Sequence, residues 1–249
     1  MCYTNNVFRR KRLVEIIGNM PEHIALILDG NRRWAKEKGL DPRIGHTKGA
    51  EALENIAKFA NSIGLKYLTV YAFSTENWNR EDTEVRALMR ILVRFINKFN
   101  KTATNENIRV RVIGDMTRFP EKLQIKLKEI IEKTKHHTGA TLNIALNYGG
   151  RQEIVRAVKQ IATKVKEGSK EIEDITMEDI SNELYTAGQP DPDLLVRTSG
   201  EMRTSNFLAW QLTYTEFIFI NKHWPDFKNE DLIEAINVFN KRTRRFGGN

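Results

Sequence analysis

The chain has 249 residues, 40% of them hydrophobic and 29% charged, with a formal net charge of +8. That length and apolar content suffice for one domain with a sizeable core, and the basic balance suits an anionic partner: nucleic acid, a membrane surface or phosphorylated metabolites. The single cysteine, Cys2, excludes an intramolecular disulfide framework. No apolar run approaches the ~18 residues of a membrane span, and the segment after the basic cluster Arg9-Arg10-Lys11-Arg12 is too short and broken for a signal peptide. The expected location is cytoplasmic, with peripheral contact to an anionic membrane surface open to the basic terminal clusters.

Residues 1–20 are expected to form a basic helical arm, and 21–249 the main domain. The apolar run Ile24 to Leu28 predicts a strand buried on both faces. It ends abruptly in Asp29-Gly30-Asn31-Arg32-Arg33. A carboxylate at a strand end, a glycine that lets backbone approach a ligand and two arginines shaped for phosphate make a candidate site. Ala35 to Ile44 is expected to be a polar linker with Asp41-Pro42 as its turn. Gly45-His46-Thr47-Lys48-Gly49 opens a helix to about Ser62, stopped by Gly64. Leu65 to Phe73 reads as a second strand, and Asp82 to Phe99 as a helix. Ile108 to Ile113 is strand-like, Pro120 starts a helix reaching about His137, and Thr141 to Leu146 is a fourth strand. Helices follow over Gln152 to Val165 and Ile175 to Leu184, the second opened by Thr176 with Asp179 three residues on. Short strands at Leu194 to Val196 and Phe217 to Ile220 precede a last helix from about Asn229 to Thr243. Strands alternating with helices predict an α/β fold: a single domain with a central, mostly parallel six-stranded sheet flanked by helices.

In such a sheet the strand C-termini share one edge, where ligands bind. Those ends carry Asp29 to Arg33; Ser74-Thr75-Glu76-Asn77-Trp78 with Arg80; Gly114-Asp115; Asn147 to Arg151; and Arg197 to Glu201 with Arg203 and Ser205. Each cluster alone would suit a solvated rim; together they describe a pocket for several phosphate charges. There is no Walker A motif, no G-x-G-x-x-G after a strand and no Cys/His zinc spacing. Asp29 and Glu216 are a candidate pair for Mg²⁺, which takes few carboxylates and leaves room for phosphate oxygens; from spacing alone an ordinary solvated Glu216 is the plainer reading. The helix from Asp82 carries an apolar face of Val85, Leu88, Met89, Leu92, Ile96 and Phe99, widened by Ile91, Val93 and Phe95. That width fits burial between sheet and neighbours, or one side lining an apolar tunnel. A basic mouth over an apolar interior suits a lipid diphosphate.

The stretches HIALILDGNRRWAK, GHTKG, YAFSTENWNR, LNYGGRQEI, DPDLLVRTSGEMRTSNFLAWQLTYTEF and HWPDF resemble the cis-prenyltransferases, the undecaprenyl diphosphate synthase family, in order from Pro21 to Phe227. The resemblance implies a homodimer that adds isopentenyl diphosphate to an allylic diphosphate such as farnesyl diphosphate, with Mg²⁺, each new double bond cis. It implies that Asp29 lies close to Mg²⁺ and the primer diphosphate, held by Gly30, Asn31, Arg32, Arg33, Trp34 and His46 with Arg80 nearby. Ser74, Thr75, Glu76, Asn77 and Trp78 would form the loop between the substrates, with Asn77 at the position associated with proton removal. Arg197, Arg203, Thr204 and Ser205 would bind isopentenyl diphosphate, Glu216 would be the second metal carboxylate, and Arg245 and Gly247 would reach the partner subunit's site. Three positions depart from the common pattern: Pro42 replaces an arginine, with Arg43 one residue later; Arg32 stands where many bacterial members have glycine; and Met202 replaces a histidine. Two other readings compete. A non-catalytic supporting subunit would have lost the site residues, which are present here. A nucleic-acid-binding domain would need a basic stripe with stacking aromatics, and here the arginines gather at strand ends instead.

Overall fold

The protein is described by a computed structural model over residues 15–242. Six strands, β1 (His23–Ile27), β2 (Tyr67–Ser74), β3 (Arg109–Ile113), β4 (Thr141–Tyr148), β5 (Leu194–Thr198) and β6 (Glu216–Ile220), form one sheet in the order β3-β4-β2-β1-β5-β6. Every neighbouring pair is parallel. The helices are α1 (Asn31–Glu37), α2 (Pro42–Ser62), α3 (Asp82–Asn105), α4 (Glu121–Thr134), α5 (Gly150–Lys166), α6 (Met177–Glu183) and α7 (Asn229–Asn240).

Alternate residues of the central strands serve two cores. Ile24, Leu26, Leu68, Val70, Leu142 and Ile144 face the larger core with residues of α2, α3, α4 and α7. Ala25, Ile27, Tyr71, Ala145 and Leu195 face a smaller one with Phe207, Leu208 and Leu212. Both faces are apolar, so the strands read as continuous hydrophobic runs rather than alternating ones. At the opposite edge from the candidate site, His23 is fully buried. Its Nδ1 lies 2.7 Å from the Pro190 carbonyl and its Nε2 2.6 Å from the Thr69 hydroxyl, which in turn accepts from Asn143.

Two expectations need correction. The stretch Ala35 to Ile44 is not a linker. Gly30, at φ +99°, turns the chain from β1 straight into α1, which buries Trp34 and Ala35. Asp41-Pro42 then starts a second helix: Asp41 accepts from the Arg43 amide and Pro42 occupies the first turn, where its missing N–H costs nothing. The described part of the arm, residues 15–20, is not helical either. It runs along α7, fastened by Ile17 N–H to Asn237 Oδ1 and by the Asn237 and Asn240 amides to the carbonyls of Glu15 and Ile17. Residues 1–14 of the arm lie outside the described residues. Among the described residues no helix is long and apolar enough to cross a membrane.

Candidate active site

The register pairs Ile27 of β1 with Arg197 of β5, so the turn after β1 and the end of β5 meet at the C-terminal edge of the sheet. Asp29 stands there. Its Oδ1 accepts from the Gly30 amide at 2.7 Å and lies 3.0 Å from the Arg33 guanidinium; its Oδ2 accepts from Arg197 at 2.8 Å. Burial alone would raise the Asp29 pKa, but hydrogen bonds and charge from Arg197 and Arg33 outweigh it and hold it lowered. The carboxylate is therefore ionised at neutral pH.

Arg197 is buried and acts as a strut. It also donates to the Arg203 carbonyl and, at 2.9 Å, to Ser205 Oγ, so it joins the β1 turn to the loop that follows β5. Arg203 itself is exposed and paired with Glu201, whose other oxygen lies 2.9 Å from Arg33. Thr204 is half-buried beside them.

The other arginines gather on Glu84 of α3, with Arg80 at 2.7 Å and Arg32 at 3.3 Å. Glu84 is a site residue that the sequence does not single out: Arg80 precedes α3 in extended backbone, and Arg32 comes from α1. His46 lies between this cluster and α1. Burial, then the Arg80 charge, pulls its pKa down to about 4, so its ring is neutral at pH 7. Gly45 and Gly49 flank it because α2 presses against Asn31: a Cβ at either glycine would collide with Asn31 atoms. The GHTKG motif thus lets α2 approach α1 closely enough to bring Asn31 and His46 together.

Asn31, Arg32, Arg33, His46 and Arg80, with Asp29, line an open cavity of about 530 Å³. Leu28, Asn31 and His46 are shared with a second, apolar cavity of about 100 Å³, which runs between Ala72 and Phe73 of β2, Leu88 to Phe95 of α3 and Ile144 of β4. The basic cavity and the apolar one are neighbours across these three residues. Asn31 Oδ1, His46 Nε2, Thr75 Oγ1 and Arg197 Nε are buried with no hydrogen-bond partner. Buried polar atoms are normally satisfied, so the unpaired atoms of Asn31 and His46, which line both cavities, mark a place suited to a polar ligand.

The Ser74–Asn79 segment, a short 3-10 turn from Thr75, is held from both ends. Asn77 Oδ1 accepts from the Ser74 amide at 3.0 Å. Trp78 donates to Asn147 Oδ1 at 2.7 Å and lies under the Arg118 guanidinium, 4.4 Å from the ring centre. Glu76 accepts from Asn206, which ties this turn to the loop after β5.

Several expected site residues lie elsewhere. Trp34 is a core residue, with Lys38 over its ring. Arg43 is occupied by the Asp41 carboxylate at the start of α2. Glu216 opens β6 level with Leu194 and hence with Ile24, at the other end of the strands, and it pairs with Arg242. Five residues of extended chain separate that level from Asp29, about 16 Å. The expected Asp29–Glu216 metal pair does not form within one chain. Arg245 and Gly247 lie outside the described residues.

An all-parallel α/β sheet with a carboxylate among arginines at its C-terminal edge, beside an apolar cavity, defines an α/β protein with a site suited to an anionic head and an apolar tail. The comparisons then narrow the class. Residues 27–247 match the family model described as putative undecaprenyl diphosphate synthase. An isoprenyl transferase of Clostridium perfringens is 49% identical over 96% of this chain and 94% of its own. A ditrans,polycis-undecaprenyl-diphosphate synthase of Micrococcus luteus, (2E,6E)-farnesyl-diphosphate specific, is 48% identical over 92% of each chain. Among solved structures, lavandulyl diphosphate synthase from Lavandula x intermedia, in complex with dimethylallyl diphosphate, superposes with a TM-score of 0.89 at 39% identity, covering 91% of this chain and 98% of that one. A probable undecaprenyl diphosphate synthase from Campylobacter jejuni gives 0.76 at 29% identity over 92% and 100%. The chain belongs to the undecaprenyl diphosphate synthase family of isoprenyl transferases, enzymes of prenyl transfer.

Proposed function

We propose that this chain condenses isopentenyl diphosphate head-to-tail onto an allylic diphosphate such as farnesyl diphosphate, building a long-chain Z-polyprenyl diphosphate of the undecaprenyl type. One observation carries this reading: the arginine-ringed cavity at Asp29 adjoins an apolar cavity with which it shares Leu28, Asn31 and His46.

The primer diphosphate lies against Arg32, Arg33 and Arg80, with the neutral His46 ring adding an unpaired Nε2. Glu84 and Glu201 hold these arginines when no phosphate does. Ionising the allylic bond leaves an inorganic diphosphate of high negative charge, and preplaced guanidinium groups stabilise that charge as it develops. The isopentenyl diphosphate head is held at Arg203, Thr204 and Ser205, which Arg197 fixes relative to Asp29. Asn77 organises the loop between the substrates; its amide oxygen already accepts from Ser74 and is not a base. The apolar cavity takes the hydrocarbon and keeps water from the allylic cation.

The site also fits Mg²⁺. Asp29 is ionised and partly open to the cavity, and Mg²⁺ commonly binds one carboxylate together with substrate phosphate oxygens and water. Bound there, the ion would neutralise diphosphate charge. Glu216 is assigned no part in the metal site of its own chain. We further propose a homodimer and peripheral contact with anionic membrane surfaces, following the family resemblance and the net charge of +8.

The test is one incubation of purified protein with farnesyl diphosphate, labelled isopentenyl diphosphate and Mg²⁺, with Asp29→Asn beside it. Dephosphorylated products are sized. A ladder ending near one length, absent from the variant, is expected; no incorporation with any short allylic primer would refute the assignment.

A further inference from the structure

Behind the phosphate cavity, on the far side of the Asp29-Gly30 turn, three side chains form a chain of contacts that the mechanism above does not use. Ser199 Oγ meets His223 Nδ1, and His223 Nε2 lies 2.9 Å from Glu37 Oε1. A carboxylate only accepts, so in a neutral ring Nε2–H donates to Glu37 and Nδ1 accepts from the Ser199 hydroxyl. This is the residue order of a nucleophilic triad, but the chemistry is different. The Ser199 and Gly200 amides, the nearest donors for an oxyanion, are already given to the carbonyls of Lys222 and Ile220. Ser199 is also buried. The contacts instead constrain a backbone turn.

Three features show which turn. Ser199 has φ +76°, a left-handed conformation that side-chain-bearing residues adopt rarely, and such strain persists only where surroundings over-determine it. Its carbonyl faces the Arg33 guanidinium at 3.4 Å. Gly30 is pressed against the pair: a Cβ there would collide with Ser199 Oγ and the His223 ring. Finally, the residues beside the pair grip the same turn. Thr198 Oγ1 accepts from the Asp29 amide and donates to the Asp29 carbonyl, and the Trp224 amide donates to that carbonyl as well. The other end of the relay acts on α1. Asp29, Arg33 and Glu37 are successive i,i+4 positions, so holding Glu37 fixes the rotation of the helix that presents Arg33. A seven-residue helix is too short to hold itself and takes its orientation from such anchors.

We propose that Ser199, His223 and Glu37 are positioning residues that set the Asp29-Gly30 turn and the roll of α1, and so the aim of Arg33 at the allylic diphosphate. The inference rests on the reading of this cavity as the primer site. It predicts a larger effect on that substrate than on isopentenyl diphosphate, because Arg203 and Ser205 are tied directly to buried Arg197 of β5 and meet the Asp29 turn only through it.

The experiment compares wild type with His223→Leu, His223→Asn, Ser199→Gly and the double variant His223→Leu/Ser199→Gly. Binding of a thio-linked farnesyl diphosphate analogue that cannot ionise is measured by calorimetry, with KM for each substrate and the melting temperature alongside. His223→Leu is expected to weaken analogue binding and raise the allylic KM about tenfold, with the isopentenyl diphosphate KM within about twofold. Asn places an amide where Nδ1 stands, so His223→Asn keeps the Ser199 contact and recovers most of the loss. Ser199→Gly relieves the left-handed strain, so it holds or raises the melting temperature while still weakening binding. The double variant is no worse than the weaker-binding single one, because both remove one contact. Glu37, two-thirds exposed, contributes less, and Glu37→Gln should change binding by under about threefold. Wild-type binding in His223→Leu or Ser199→Gly would overturn the proposal. So would additive losses, or a loss that follows the melting temperature with no recovery in His223→Asn. Wild type that binds the analogue but does not elongate would refute the prenyl-transfer assignment and leave the relay readable from the binding series. Wild type that elongates, with variants unchanged, would refute the relay alone.

Discussion

Asp29 and Arg197 constrain each other unequally. Arg197 is buried, with its Nε unpartnered, whereas the Asp29 side chain is one-quarter exposed. Losing the carboxylate strands a buried cation, so Asp29→Ala should lower stability as well as activity, and Asp29→Asn is the cleaner probe of chemistry. Arg197→Lys keeps the charge but cannot span Asp29 Oδ2, the Arg203 carbonyl and Ser205 Oγ with one ammonium. A fall in kcat/KM of about a hundredfold is expected, with KM for isopentenyl diphosphate rising, in steady-state assays against both substrates. The sequence named Asp29 and Arg197 correctly as rim residues but not their bond. A side chain's type and strand position are local information; that Arg197 turns inward to brace Asp29 follows from the β1–β5 register. Glu84 and Arg118 were missed for the same reason: each matters through a partner from a distant part of the chain. Glu216 is the converse, a plausible ligand by type that the register carries to the wrong end of the sheet.

At the scale of elements, α3 and β2 form the walls of the apolar cavity, and only about 100 Å³ of it is open. An elongating chain must displace side chains of α3, so cavity depth sets how many units fit. Ala72 on β2 is a small residue on that wall. Ala72→Leu should shift products to shorter chains while leaving the first condensation within about threefold of wild type, because the added branch narrows the cavity without touching the arginines. Sizing of dephosphorylated products checks it; an unchanged ladder would show that the chain runs elsewhere. The wide apolar stripe on α3 was visible in the sequence, and the structure accounts for it by burial and by this wall. The α1 helix was not visible. It is two turns long, its N-terminus is a glycine in a left-handed conformation, and Asp-Pro, taken for a turn, begins the next helix. Short helices stabilised by packing leave little periodicity to read.

For the molecule as a whole, two buried imidazoles govern behaviour in acid. Burial pulls His23 down to about 4 against its contacts with Pro190 and nearby carboxylates, and burial with Arg80 pulls His46 down to about 4. The unfolded chain takes up these protons near pH 6.5 while the folded one resists until about 4. Their share of the stability is therefore full above about pH 7, falls as pH drops through that interval and levels off below it, where carboxylates held below their usual range, Asp29 and Glu76 among them, lose theirs in turn. Each histidine accounts for a loss of about 2 kcal/mol between pH 7 and pH 5. Urea midpoints at the two pH values should differ accordingly, and His23→Gln should remove about half of the difference. An unchanged pH slope in that variant would mean that His23 is protonated without unfolding.

The Asn237 and Asn240 side chains that clasp residues 15–17 have a topological meaning. Ile17 and Asn240 stand within one hydrogen bond of each other, so the described residues, 15–242, start and finish side by side. A short connection could join the described segment at these two points, and the segment could be reopened at an exposed turn, for instance around Gly168, which follows α5 in a left-handed conformation. A permuted order of this kind keeps every strand pairing of the sheet, and it would present the prenyl-transfer site on a polypeptide opened beyond α5.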